Sequence, residues 1–141
     1  MRKSLFLLVG AFCLALAANA TPKYIFMFIG DGMGMGHVMA TETYNRLVLN
    51  NDENILMMQF PVASMAMTYS ANSPVTDSAA AGTALATGNK TKNGMIGMTP
   101  DSVAVTSIAT ELKAQGYGVG LVTSVAYDDA TPASFYAHQT N

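Results

Sequence analysis

Apolar positions in this chain come in short blocks, set apart by glycine, proline and small polar residues. Residues 23–30 (KYIFMFIG) form a continuous apolar run ending in glycine. Such a run predicts a strand buried on both faces, as in parallel sheets. The next stretch, 31–36 (DGMGMG), is too rich in glycine for helix or strand and predicts a loop. A helix is expected over 37–49, with a polar break at Asn50, Asn51 and Asp52. A second strand is expected over 62–69, and a turn at Ser73 and Pro74. The alanine-rich stretch 79–87 predicts a helix stopped by Gly88 as its C-cap. Val105, Ile108, Ala109 and Leu112 recur at helical spacing, with Asp101 or Ser102 as the expected N-cap and Gly116 beyond the end. A third strand is expected over 119–123, then a polar loop through Asp129 and a short helix beginning at Pro132. Strands alternating with helices predict an α/β fold, a mostly parallel sheet with helices on both faces. Ligands of such sheets bind where loops leave the carboxyl ends of the strands.

The first twenty residues stand apart from this pattern. Arg2 and Lys3 precede the apolar run 5–17, and Ala18-Asn19-Ala20 follows as an A-x-A cleavage signal. This reads as a secretory signal peptide. The run is shorter than the roughly 20 residues of a spanning helix, so a mature form with no membrane segment is expected. Cleavage removes two of the seven cations, so the mature charge is 5 − 9 = −4. It also removes Cys13, the sole cysteine, and with it any disulfide. No basic cluster remains, which argues against nucleic acid as a partner.

Three motifs carry candidate chemistry. In 75–83 (VTDSAAAGT), Ser78 falls at an expected helix start, where free N–H groups favour an anion, and small residues follow it. Asp77 adds a carboxylate beside it. The same pair also suits an ordinary N-cap. In 30–34 (GDGMG), Asp31 follows an expected strand among glycines, which suits either a metal-facing carboxylate or an acidic turn. In 129–133 (DATPA), Asp129 and Thr131 form a hard-oxygen pair suited to Mg²⁺, or a capping turn before Pro132. His37 reads as a helix-start or surface residue, and His138 as a packed histidine or one that supports a site from behind its ligands. Neither G-x-G-x-x-G nor the P-loop fits in register. The first needs glycine at Met35 or His37, and Asn89 separates Gly88 from Lys90.

VTDSAAAGT, the following ALATGNKTKNGMIG, the strand-D-G-M-G pattern and the DATPA segment together resemble the alkaline phosphatase family across residues 22–141. The resemblance implies an alkaline-phosphatase-like fold, truncated here, and hydrolysis of small phosphate monoesters through a phosphoserine at a site of two Zn²⁺ and one Mg²⁺. It implies Ser78 as nucleophile and zinc ligand, and Asp77 as the residue that orients the site and a phosphate-binding arginine. Asp31 would bridge one zinc and the magnesium. Asp129 would lie at the magnesium site, with Thr131 as a magnesium ligand. Sulfatases, which share the wider superfamily, use a cysteine-derived nucleophile, and the mature chain has none. The phosphate-binding arginine and the remaining ligands have no counterpart here, so residues 21–141 are expected to be the N-terminal portion of a longer catalytic domain, inactive alone. A secreted or periplasmic location follows, with a homodimer as the implied full-length state. The alternatives are a phosphodiesterase or other metallohydrolase of the same superfamily, and a non-catalytic secreted module that binds phosphate or metal.

Overall fold

A computed structural model describes residues 22–140; the expected signal peptide and Cys13 lie outside them. The chain divides into two units, with the boundary between Gly30 and Asp31. In the first, residues 22–30 form neither helix nor strand, and Lys23 Nζ lies 5.3 Å from the centre of the Tyr24 ring.

The described residues of the second unit contain four α-helices. They are α1 (Met35–Leu47), α2 (Ser78–Thr87), α3 (Ile108–Ala114) and α4 (Ala130–Ala133), with a 3-10 turn at Leu56–Gln59 between the first two. At the start of α1, His37 Nδ1 accepts the Gly34 N–H at 3.2 Å, which gives this histidine the helix-start role expected of it. Helix α2 begins one residue earlier than expected. Asp77 is its N-cap and Gly88, at φ 72°, its C-cap. The cap of α3 is Ser107, whose side chain accepts from the Thr110 N–H, in place of Asp101 or Ser102. Val105 has the apolar spacing but precedes the capping hydroxyl, and the helix starts where its free N–H groups find an acceptor.

The expected parallel sheet has no counterpart among the described residues. They hold only two isolated antiparallel bridges, Ile96 with Gln139 and Met98 with Ala104. The three segments read as buried strands, 23–30, 62–69 and 119–123, carry no ladder. A strand buried on both faces needs neighbours on every side, whereas Phe28 is 88% exposed, Met65 98% and Val122 99%.

The packed part of the second unit is built from small side chains. Helix α2 packs on α4 and α3. Ala79, Ala80 and Ala86 of α2 are buried, as are Ala133, Ser134 and Phe135 at α4. Gly82 allows the close approach of α2 and α4. A methyl group there would sit 2.6 Å from Ser134 Oγ and 3.4 Å from Thr131 Cα. Thr83 is fully buried with both bonding directions used: its Oγ1 donates to the Met95 carbonyl at 3.3 Å and accepts the Gly97 N–H at 3.0 Å. The 91–97 segment is thereby fixed to the flank of α2.

Candidate active site

Capping sets the start of α2. Asp77 Oδ1 accepts the Ala80 N–H at 2.8 Å, and the Asp77 carbonyl begins the helical ladder by accepting the Ala81 N–H at 3.0 Å. Such a cap contributes about 1 kcal/mol to a helix. Asp77 Oδ2 accepts the Gly94 N–H at 2.6 Å. Both oxygens of this carboxylate are therefore held by backbone donors. The geometry gives Asp77 a definite task, fixing the turn that leads into Ser78.

With Asp77 as cap, Ser78 is the first helical residue and is half-buried. Its hydroxyl stands beside the positive end of the helix dipole. Ser78 Oγ donates to Asp31 Oδ1 at 3.1 Å. The other carboxylate oxygen, Asp31 Oδ2, accepts from Thr131 Oγ1 at 2.8 Å. Asp31 thus joins two hydroxyls distant from it in sequence, one at the start of α2 and one inside α4. The α2–α4 packing through Gly82 and Ser134 determines how far apart those two hydroxyls lie. Three residues singled out in separate motifs meet at one point.

Asp129 is the N-cap residue of α4 by position, yet its side chain makes no capping bond. The helix start is met instead by backbone, with the Ala133 N–H donating to the Asp129 carbonyl at 3.0 Å. Its exposed carboxylate is not part of the Ser78–Asp31–Thr131 group. His138 lies apart from this group: its Nε2 donates to the Val105 carbonyl at 3.0 Å and its ring lies against Gly97. Among the described residues, no three His, Cys, Asp or Glu side chains cluster as a metal-holding group. Sequence reasoning passed over Asn93. Its Oδ1 accepts the Asp77 N–H at 3.2 Å, and its Nδ2 donates to the Val75 carbonyl at 3.0 Å. An Asn-Gly pair reads as a turn, which gives its position but not its partners.

The family model for alkaline phosphatase matches residues 22–141. The chain is 35% identical to the alkaline phosphatase of Schizosaccharomyces pombe over 87% of its own length, and 40% identical to alkaline phosphatase 4 of Bacillus subtilis over 85%. It spans 23% and 27% of those two proteins, about a quarter of each. The fold is similar to that of the alkaline phosphatase from the Antarctic bacterium TAB5, with a TM-score of 0.74 and 36% identity, covering 86% of this chain and 34% of the other. A mutant of that enzyme has been solved with magnesium bound. A match across every described residue, together with a solved fold at this level of identity, establishes that the chain belongs to the alkaline phosphatase family.

Proposed function

We propose that the protein containing this chain hydrolyses phosphate monoesters, with Ser78 as the nucleophile. The observation that carries the reading is the Ser78 Oγ to Asp31 Oδ1 contact of 3.1 Å at the N-terminal end of α2. A serine hydroxyl is a weak nucleophile unless something orients it and stabilises its alkoxide. Here the helix start supplies a positive end for an incoming phosphate, and Asp31 fixes the direction of the hydroxyl.

The donors fit a hard divalent cation. The Asp31 carboxylate and the Ser78 and Thr131 hydroxyls that it joins are an all-oxygen set suited to Mg²⁺, and Asp129, outside this group, would add a further carboxylate only if its side chain turned toward it. Asp31 and Ser78 supply only oxygen donors toward the two implied Zn²⁺ ions, whose imidazole ligands are absent from this set. When bound, such cations supply positive charge that stabilises the attacking and leaving oxygens.

In the proposed step the Ser78 Oγ–P bond forms as the ester P–O bond breaks. The hydroxyl proton leaves along the line to Asp31 Oδ1 and passes on to solvent, and the leaving oxygen takes up a proton from solvent and departs as the alcohol. Water then hydrolyses the phosphoserine, giving inorganic phosphate and regenerating Ser78. Asp77 keeps the attacking residue at the helix start. Asp31 and Thr131 hold the oxygens around the site in place.

The larger protein is proposed to form the parallel sheet with helices on both faces, with residues 21–141 as the N-terminal portion of the catalytic domain. Coverage of about a quarter of the relatives is in keeping with a portion of a longer domain. Export to a secreted or periplasmic location and homodimer formation belong to the same reading. Among the described residues, no helix is long and apolar enough to cross a membrane.

The test is turnover of a simple aryl phosphate by the full-length protein. The Ser78→Ala variant should lose at least about a thousandfold in rate, the scale of removing a covalent nucleophile. Turnover within tenfold of wild type, or a preference for aryl phosphodiesters, would contradict the reading.

A further inference from the structure

Two segments distant in sequence meet beside Ser78. The 70–77 loop enters α2, and the 91–97 segment runs along the helix flank. Asn93 stitches them with three bonds. Its Oδ1 accepts the Asp77 N–H at 3.2 Å, its Nδ2 donates to the Val75 carbonyl at 3.0 Å, and its own N–H donates to Asn72 Oδ1 at 2.9 Å. The amide orientation follows from the partners: one is a donor and the other an acceptor, so reversing the amide would break both contacts. The neighbouring Gly94, at φ 85°, turns the chain so that its N–H reaches Asp77 Oδ2 at 2.6 Å. The Ala71 N–H donates to the Thr91 carbonyl at 2.8 Å, closing the far side of the seam. Thr83 anchors the same segment through Met95 and Gly97.

The seam therefore holds the residue before Ser78 at both its N–H and its carboxylate. An Asp77 free to turn would carry the Ser78 hydroxyl away from Asp31. We propose that Asn93 is a positioning residue for phosphoryl transfer, which braces the Asp77–Ser78 turn so that Ser78 Oγ faces the incoming phosphorus. The proposal rests on Ser78 being the nucleophile. None of these Asn93 hydrogen bonds goes to the Ser78 side chain or to Asp31, so its removal should disturb aim more than phosphate binding.

The experiment uses the full-length enzyme with Asn93→Ala and Asn93→Asp. Two quantities are read: the rate at which covalent phosphate appears on Ser78 in acid-quenched time courses with an aryl phosphate, and the affinity for inorganic phosphate. Asn93→Ala should slow phosphorylation by about tenfold to a hundredfold, the scale of a misplacement near 1 Å. Phosphate affinity should change less than about threefold. Asn93→Asp keeps an oxygen for the Asp77 N–H but sets an acceptor oxygen, in place of the donor, against the Val75 carbonyl, so it should recover part of the loss. A purely structural role would lower phosphorylation and phosphate affinity together. That result overturns the proposal, as does phosphorylation of Asn93→Ala within twofold of wild type. An Asn93→Asp enzyme no better than Asn93→Ala also overturns it. If Asn93→Ala fails to fold, Asn93→Asp decides by the same affinity comparison, and failure of both to fold makes the brace a folding element only. Absence of label on Ser78 in wild type instead sinks the nucleophile reading itself, whatever Asn93 does.

Discussion

A capping serine and a nucleophilic serine make different demands at the same helix start. Asp77 has already taken the capping duty, with its carboxylate on the Ala80 N–H, so the Ser78 hydroxyl is free to bond Asp31. Asp31 in turn gives one oxygen to Ser78 and the other to Thr131. Asp31→Asn removes one of those two acceptors. It should lower turnover of the full-length enzyme by at least about a hundredfold, the scale of losing one preorganised contact at a transition state. Steady-state rates with an aryl phosphate check this, and an effect below tenfold would make Asp31 a bystander. Asp129 and Thr131 form a separate test. Alanine at either should weaken magnesium binding and turnover together, read by magnesium titration of activity and by calorimetry. Loss of activity with unchanged magnesium affinity would leave them as turn residues of α4. Much of this was legible in the sequence, since VTDSAAAGT, GDGMG and DATPA each carried a candidate oxygen. The joining of Asp31 to both hydroxyls was not legible, because Thr131 lies 100 residues from it in the chain. Asn93 was missed for the same reason: the partners of its side chain are backbone groups 16 and 18 residues away.

At the level of elements, the α2–α4 contact sets the site. Ser134 Oγ donates to the Ala130 carbonyl at 2.8 Å and lies over Gly82. Gly82→Ala would force this hydroxyl to turn or the two helices to part. Overpacking of this kind costs about 1–3 kcal/mol. The full-length Gly82→Ala protein should melt a few degrees lower, and Ser134→Gly in the same chain should restore part of the loss. Unchanged melting of the single variant would show that the contact yields without cost. Helix α2 was readable because its signals are local: a cap, a run of alanines and a glycine stop. Helix α3 was readable in kind but not in its start, since Ser107 takes the cap and also donates to the Phe135 carbonyl at 2.5 Å. The strands were expected from apolar runs alone. A ladder is a property of two segments, and hydropathy in one cannot supply the other.

Across the whole molecule, the described residues expose many large apolar side chains, among them Phe26 at 79% and Met67 at 82%. Surface of this character marks sites that other protein covers, or a tendency to aggregate. The chain spans about a quarter of its relatives, and its described residues hold no cluster of three metal-binding side chains. The 141-residue chain alone, supplied with zinc and magnesium, should therefore hydrolyse an aryl phosphate no faster than solvent. Activity well above that rate would mean that the reacting groups have been assigned to the wrong residues. For the full-length protein, one measurement bears on the central assignment more directly than any rate. Wild-type enzyme incubated with inorganic phosphate, quenched in acid and digested, should carry a single covalent phosphate on the peptide containing Ser78, and the Ser78→Ala enzyme should carry none. A phosphate on Ser73, Ser102 or any other residue would contradict the account, and the roles given to Asp31 and Asp77 would fall with it.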